Sequence, residues 1–285
     1  MRLGRFDLTV VHDGEFRLDG GAMFGVVPKP LWSRVKAADE LNRIRMGTNA
    51  LLVASGRELL LVDTGIGDKL DAKSQAMYGM EEGARRLPEQ IRAVGYALGD
   101  VTHVLLTHLH FDHCGWNTVR AGEKLVPTFP NARYWLCRGE VEHARSPNER
   151  DSVSYLPENW EPLFEAGVVE LFDDLATPID GVTAVKAPGH NRDLCIVTVD
   201  GGDGARAAHL ADLVPTAAHA PLPWIMGFDA FPMETLASKK RWVPRLAAER
   251  WLCIFQHDPD MPVGRIVEEK PGKFRAVPVD PTGIG

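Results

Sequence analysis

Thr107-His108-Leu109-His110-Phe111-Asp112-His113 places four candidate metal ligands, His108, His110, Asp112 and His113, within six residues. The run before it, Val101-Thr102-His103-Val104-Leu105-Leu106, is apolar and β-branched and reads as a buried strand. Side chains two apart in an extended segment project to one side, so His108 and His110 can converge on one ion. Asp112 and His113 follow after the chain has turned and can face a second ion. Imidazole with carboxylate suits zinc and other first-row divalent metals, and a set that leaves a position open to water is catalytic rather than structural. A single histidine is ordinarily a core or surface residue. Three with an aspartate at one strand end are hard to account for that way.

Working outward, three more residues extend the set. His190 lies in Ala187-Pro188-Gly189-His190, a turn after the apolar run Val182-Thr183-Ala184-Val185. Asp212 closes His209-Leu210-Ala211-Asp212, and His257 directly follows the strand-like Trp251-Leu252-Cys253-Ile254-Phe255 with one intervening glutamine. Each sits at a strand end, where loops held by a rigid sheet collect function. Five histidines and two aspartates match two metals that share one bridging carboxylate.

In this order, HxHxDH and then His, Asp and His, the chain resembles the metallo-β-lactamase-fold hydrolases, from about Asn49 to about His257. The resemblance implies an α/β fold, a four-layer αβ/βα sandwich, as a single domain over 1–285. It implies that His108, His110 and His190 hold one metal, that Asp112, His113 and His257 hold the other, and that Asp212 bridges. Leu59-Leu60-Leu61-Val62-Asp63-Thr64-Gly65 is similar to the family's strand ending in an Asp-Thr-Gly turn. By that likeness Asp63 becomes a partner that orients a ligand imidazole rather than an ordinary turn residue.

Composition agrees with a compact soluble enzyme: 285 residues, 45% hydrophobic, enough for a sizeable core. A net charge of −7 argues against a nucleic-acid surface, which needs clustered Lys and Arg. The basic run Lys239-Lys240-Arg241 reads as a solvated helix face. Met1 to Phe16 has no apolar stretch of signal-peptide length and no segment approaches a membrane span, so the expected location is the cytoplasm. Cys114, Cys137, Cys195 and Cys253 are scattered and read as free thiols. Cys114, beside His113, is expected to point away from the metals and pack as a small residue.

The pattern places strands at Arg5 to Val11, Asn49 to Ala54, Glu58 to Asp63, Ala132 to Leu136, Val168 to Phe172, Val182 to Lys186, Leu194 to Val199 and Arg206 to Leu210. Ser55-Gly56-Arg57 makes a hairpin turn. Helices are expected over Gly83 to Leu98, with Pro88 near a first turn, over Arg138 to Ala144, and over Met233 to Arg250, kinked or split at Pro244. Two segments fall outside this core. Gly20 to Met46, an N-terminal extension, reads as a homodimer contact, a pocket wall or a satellite cluster. Ser146 to Glu165, long for a loop, reads as a lid. Trp116, Trp224 and Phe228 are candidates to line an apolar pocket.

Two ions about 3.5–4 Å apart can share a water, lower its pKa toward neutrality and polarise an acyl carbonyl. The expected function is therefore a dinuclear metal-dependent hydrolase in which a bridging hydroxide cleaves a lactone, ester or similar acyl bond of a small molecule. Zinc is the first choice of metal, with iron, manganese or cobalt as alternatives. The catalytic set is Asp112 and Asp212 with the metals. No G-x-S-x-G elbow argues for a serine nucleophile.

Within the resemblance, flavin-linked diiron reductases carry Glu where His110 stands, some β-lactamases have Cys in place of Asp212 or lack the bridging acid, and the nucleases bring a basic domain. What remains is similar to the N-acyl-homoserine lactonases, including Gly227-Phe228-Asp229. Those enzymes place a Tyr shortly after the bridging Asp, whereas this chain reads Asp212-Leu213-Val214-Pro215-Thr216. His219 is the substitute proton donor that the sequence offers. The rivals are a mononuclear iron sulfur dioxygenase, a thioester hydrolase of the glyoxalase type, a phosphoester hydrolase and a scaffold without catalysis, the last weakened because no ligand is lost.

Overall fold

A computed structural model describes residues 1–80, 86–202 and 204–279. The first sheet begins with β1 (Arg2–Leu3) and β2 (Phe6–Asp19) and continues through the hairpin β3 (Arg43–Ser55) and β4 (Glu58–Val62). Next come β5 (His103–Leu105), a separate two-stranded ribbon of β6 (Thr118–Ala121) and β7 (Lys124–Pro127), then β8 (Arg133–Cys137) and β9 (Val169–Phe172). The strand order is β1-β2-β3-β4-β5-β8-β9. The second sheet contains β10 (Leu175–Ile179), β11 (Val182–Lys186), β12 (Cys195–Asp200), β13 (Arg206–His209), β14 (Leu252–Ile254), β15 (Val263–Lys270) and β16 (Lys273–Pro278), in sequence order.

The two sheets meet face to face. Leu51, Val53, Leu60, Val62 and Leu105 of the first pack against Val182, Ala184, Val197, Ala207 and Ile254 of the second. Burying such a side chain fully stabilises by roughly 1.5–3 kcal/mol, so this shared layer is a main source of cohesion. Helices Leu87–Ala93, Arg138–Arg145 and Glu161–Glu165 cover the outer face of the first sheet through Leu87, Ile91, Val141 and Leu163. Helix Pro232–Ala248 covers the second through Trp242, Val243 and Leu246. The result is the expected four-layer αβ/βα sandwich.

Strand direction decides where the loops go. β4 and β5 run parallel. β11 and β13 are each antiparallel to β12, and β14 is parallel to β13, so β11, β13 and β14 share one direction. Backbone bonds join the two sheets beside these strand ends: Gly47 N–H to His257 O (3.0 Å), Asn49 N–H to Gln256 O (2.8 Å) and Cys195 N–H to Thr107 O (2.9 Å).

Several expectations change in detail. β2 extends to Asp19 and β3 starts at Arg43, because Asp19 pairs with Arg43, so the last residues of the 20–46 extension belong to the sheet. The remainder packs Met23, Phe24 and Trp32 against Phe16, Met46 and Met226. In the 146–165 segment Tyr155, Trp160 and Leu163 are buried in the core, so its second half is anchored. The helix expected from Gly83 is described only from residue 86, with Pro88 in its first turn; residues 83–85 lie outside the described residues. Helix Pro232–Ala248 is neither ended nor split at Pro244, because Trp242, Val243 and Leu246 hold it to the sheet on both sides. Lys239 is not solvated: it is fully buried, and its ammonium donates to the carbonyls of His219 (2.6 Å), Pro221 (2.8 Å) and Trp224 (2.7 Å). Among the described residues no helix is long and apolar enough to cross a membrane.

One buried carboxylate organises the loops beneath the site. The β2–β3 register shifts between His12 and Glu15, and such a bulge re-aims a side chain. Asp13 there is buried and accepts the N–H groups of Ile66 (2.9 Å), Gly67 (3.0 Å) and Leu87 (2.9 Å), together with the indole N–H of Trp116. Trp116 is thus held in the core rather than lining a pocket. Gly65 sits at φ +65°, and a Cβ on it would come within 2.4 Å of the Asp13 side chain, so only glycine fits both the turn and the contact. Asp13→Ala leaves four donors without their acceptor and is expected to destabilise the fold by about 3 kcal/mol or more. Urea denaturation measures this, and a loss below about 1 kcal/mol would show that water replaces the carboxylate.

Candidate metal centre

The loop after β5 brings His108 and His110, and the short helix Phe111–Cys114 adds Asp112 and His113. His190 follows β11, Asp212 follows β13 and His257 follows β14. These seven residues come together as two groups: His108, His110, His190 and Asp212; and Asp112, His113 and His257. Asp212 reaches both. Its Oδ2 is 3.1 Å from His190 Nε2, while its Oδ1 is 3.4 Å from His113 Nε2 and 3.1 Å from His257 Nε2. Asp112 Oδ2 is 3.6 Å from His257 Nε2.

The outward nitrogens of four of the five rings are tied down. His113 Nδ1 meets Asp63 Oδ2 at 2.8 Å, His190 Nδ1 meets Asp229 Oδ1 at 3.0 Å, and His257 Nδ1 meets the Gly47 carbonyl at 2.9 Å. His108 Nδ1 is 3.1 Å from Thr107 Oγ1, which itself donates to Asp63 Oδ2 at 2.8 Å. A ring held with its Nδ1–H on an oxygen turns an Nε2 lone pair inward. Facing inward, His113 Nε2 and His257 Nε2 are 3.1 Å apart, and His190 Nε2 is 3.0 Å from His110 Nδ1. His108 Nε2, His110 Nε2 and Asp212 Oδ1 are buried without a hydrogen-bond partner. Ring nitrogens this close in a buried space need a proton or a metal ion between them. The donor set therefore fits divalent metal ions.

Charge points the same way. Burial, reinforced by neighbouring imidazoles, holds His108 and His110 well below the usual histidine range, so both are neutral donors. Burial also works against a charged His113, but Asp212, Asp112 and Asp63 outweigh it and raise its pKa well above that range. For Asp212 burial is likewise outweighed, by His257, His113 and His190, and its pKa falls well below the carboxylate range. Four aspartates, Asp63, Asp112, Asp212 and Asp229, thus surround one buried histidine cluster.

Two of the four described non-glycine residues with positive φ lie here. Asp63 (φ 57°) and Ala211 (φ 44°) lie in the left-handed region that non-glycine residues avoid. One carries the partner of His113 and the other immediately precedes Asp212. Strain of this kind persists where surrounding structure enforces it, and it clusters at functional sites.

The centre forms the floor of a cavity of about 510 Å³. Met23, Tyr78, Phe111, Val153, Met226 and Phe228 line it, and among the described residues Arg150 is its one Lys or Arg. The 20–42 segment and the first half of 146–165 are thus both walls. Trp224 is not among the lining residues; it packs edge-on against Phe24. Cys114 points away as expected, its thiol directed at the carbonyls of Leu109 and His110. His219 must be withdrawn as proton donor. Both ring nitrogens are occupied, by Thr216 Oγ1 (2.8 Å) and the Met23 carbonyl (2.8 Å), the ring stacks on Phe24, and burial drives its pKa down to about 3.

Residues 43–257 match the Metallo-beta-lactamase superfamily. The chain belongs to that superfamily. A probable metallo-hydrolase of Mycobacterium tuberculosis is 29% identical over 215 residues, covering 64% of this chain, and the chain spans 63% of that relative's length. A crystal structure of a probable metal-dependent hydrolase from Staphylococcus aureus superimposes with a TM-score of 0.90 at 29% identity, covering both chains completely. AidC, a dizinc quorum-quenching lactonase, shares the fold with a TM-score of 0.80 at 23% identity over 98% of this chain and 96% of its own.

In this superfamily member Asp229 is the functional partner that sequence reasoning left without a role. It stands 39 residues from His190, and only the loop before helix Pro232–Ala248 brings them together, with Thr235 Oγ1 fixing its other oxygen at 2.8 Å. Asp229→Ala is expected to weaken metal binding roughly 10–100-fold, as loss of such ring-orienting partners typically does. Competition with a chelating dye reads this, and undiminished affinity would show that His190 is oriented without it.

Proposed function

We propose that this chain is a metal-dependent hydrolase that binds two divalent ions, zinc first among them, and cleaves a lactone, ester or similar acyl bond of a small molecule. The observation that carries this reading is Asp212, one carboxylate with an oxygen turned to each of two histidine groups at the floor of an apolar cavity. The relatives' descriptions support it: a probable metallo-hydrolase, and a dizinc lactonase solved with N-hexanoyl-homoserine as product. When bound, the ions supply a water activated to attack at neutral pH and polarisation of the acyl carbonyl.

The chain's own residues do the rest. Asp63, Asp229 and the Gly47 carbonyl fix the rings, so the donors need little rearrangement. Met23, Phe111, Met226 and Phe228 exclude water and accept an apolar acyl group. The combination of donors and apolar walls suits an acyl substrate better than a phosphate diester, for which Arg150 would be the only lining cation among the described residues.

The test is a screen of lactones, esters, thioesters, phosphotriesters and β-lactams with metal content measured on the same protein. Close to two metals per chain and turnover of a lactone or ester are expected. One iron per chain with oxygen uptake on persulfides would replace the hydrolase reading by a sulfur dioxygenase. Asp212→Ala removes the anion between the two cation sites, so metal occupancy and activity should fall together. Retention of both metals with near-normal turnover would reduce Asp212 to a strand-end residue.

A further inference from the structure

His219 is sequestered, so a side chain that reaches a substrate's leaving oxygen would come from the cavity wall. Of the four tyrosines, Tyr78 alone lines the cavity. It follows helix Ala72–Met77, and its backbone is pinned by its N–H to the Ser74 carbonyl (2.9 Å) and by its carbonyl to the Arg17 N–H (2.7 Å). Its ring stacks on Phe111 (centroids 5.0 Å, 29°) and meets Phe16 edge-on (6.4 Å). Phe111 lies between the ligands His110 and Asp112, and Phe16 meets the ring of His257 edge-on at 5.7 Å. The ring is therefore held against the Asp112 and His257 side of the centre.

The phenol has no protein hydrogen-bond partner among the described residues and is not a buried atom, so it stays accessible to a group that enters the cavity. Burial first, and the Asp112 charge second, raise its pKa, so it keeps its proton at neutral pH and can only gain by donating it to an acceptor. The other tyrosine near the ligands, Tyr155, packs its ring on His110 but commits its hydroxyl to Asn191 and Glu140.

We propose that the Tyr78 hydroxyl donates a hydrogen bond to the departing oxygen of the substrate as the acyl–oxygen bond breaks. The inference rests on the acyl-hydrolase reading above. Water adds its oxygen to the acyl carbon, and the acyl–oxygen bond breaks with its electron pair going to the leaving oxygen. The proton that this oxygen finally takes is the one the attacking water releases. The sum is acyl compound plus water giving acid plus alcohol, with Tyr78 unchanged. Its contribution grows with the charge on the leaving oxygen, so it matters most for an alkoxide.

Tyr78→Phe keeps both ring contacts and removes only the hydroxyl. Rates are compared on 4-nitrophenyl hexanoate, phenyl hexanoate and γ-decalactone, a series of rising leaving-group basicity, alongside metal content and melting temperature. The expected result is a loss of under about 3-fold on the nitrophenyl ester and roughly 10–100-fold on the lactone, so the rate depends more steeply on leaving-group pKa. Metal content and melting temperature should be unchanged, and binding of the ring-opened product, 4-hydroxydecanoate, should weaken. Equal losses across the series, or lost metal, overturn the role of Tyr78 while the hydrolase reading stands. A wild-type protein that turns over none of the three overturns both.

Discussion

The constraint on which the rest depends is the gathering of five imidazoles, all buried but the half-buried His110, and two buried aspartates with their donor atoms aimed at one another. Four of the five rings, those of His108, His113, His190 and His257, have spent Nδ1 on a neighbouring oxygen, which leaves Nε2 facing the centre, with His113, His190 and His257 all within 3.4 Å of Asp212. It makes sense as a place for cations. Asp63, Asp229, Thr107 and the Gly47 carbonyl then follow as the groups that keep the rings from turning to satisfy themselves elsewhere.

The sandwich is built to present that cluster. Parallel strands in the first sheet and like-directed strands in the second deliver their carboxyl ends toward the same place, where loops can contribute donors without breaking the hydrogen-bond ladders. The loops are not free to wander. Asp13 gathers three backbone N–H groups and an indole beneath the site, and buried Lys239 closes three carbonyls of the segment that follows Asp212. Both are expensive groups to bury, and both are fully hydrogen-bonded. The left-handed backbone at Asp63 and Ala211 is sustained by this surrounding order.

Around the centre the apolar segments do two jobs at once. Met23 packs with Phe16, Met46 and Met226 as a satellite core and also forms cavity wall, so the N-terminal segment is both cluster and pocket. Arg150 ties the 146–165 segment across the cavity mouth to the carbonyls of Gly227 and Asp229. The same loop that orients His190 through Asp229 therefore also anchors the opposite wall.

The sequence by itself determined the seven candidate ligand residues, the strand ends that carry them and the class of fold. Those signals are local: donors spaced two apart after an apolar run, and turns directly after β-branched segments. Asp63 was legible only through its Asp-Thr-Gly setting. The tertiary structure alone decided the pairing of His190 with Asp229, the burial of Lys239, the bulge that turns Asp13 inward, and the sequestration of His219. Each depends on elements distant in the chain, and a lysine in a basic run or a histidine in a small-residue loop looks exposed until the packing around it is known. The polar strands β15 and β16 escaped for a related reason. Their Lys and Glu residues extend to solvent, and the few inward positions, such as Ile266 and Phe274, acquire meaning only against the helix and sheet they cover.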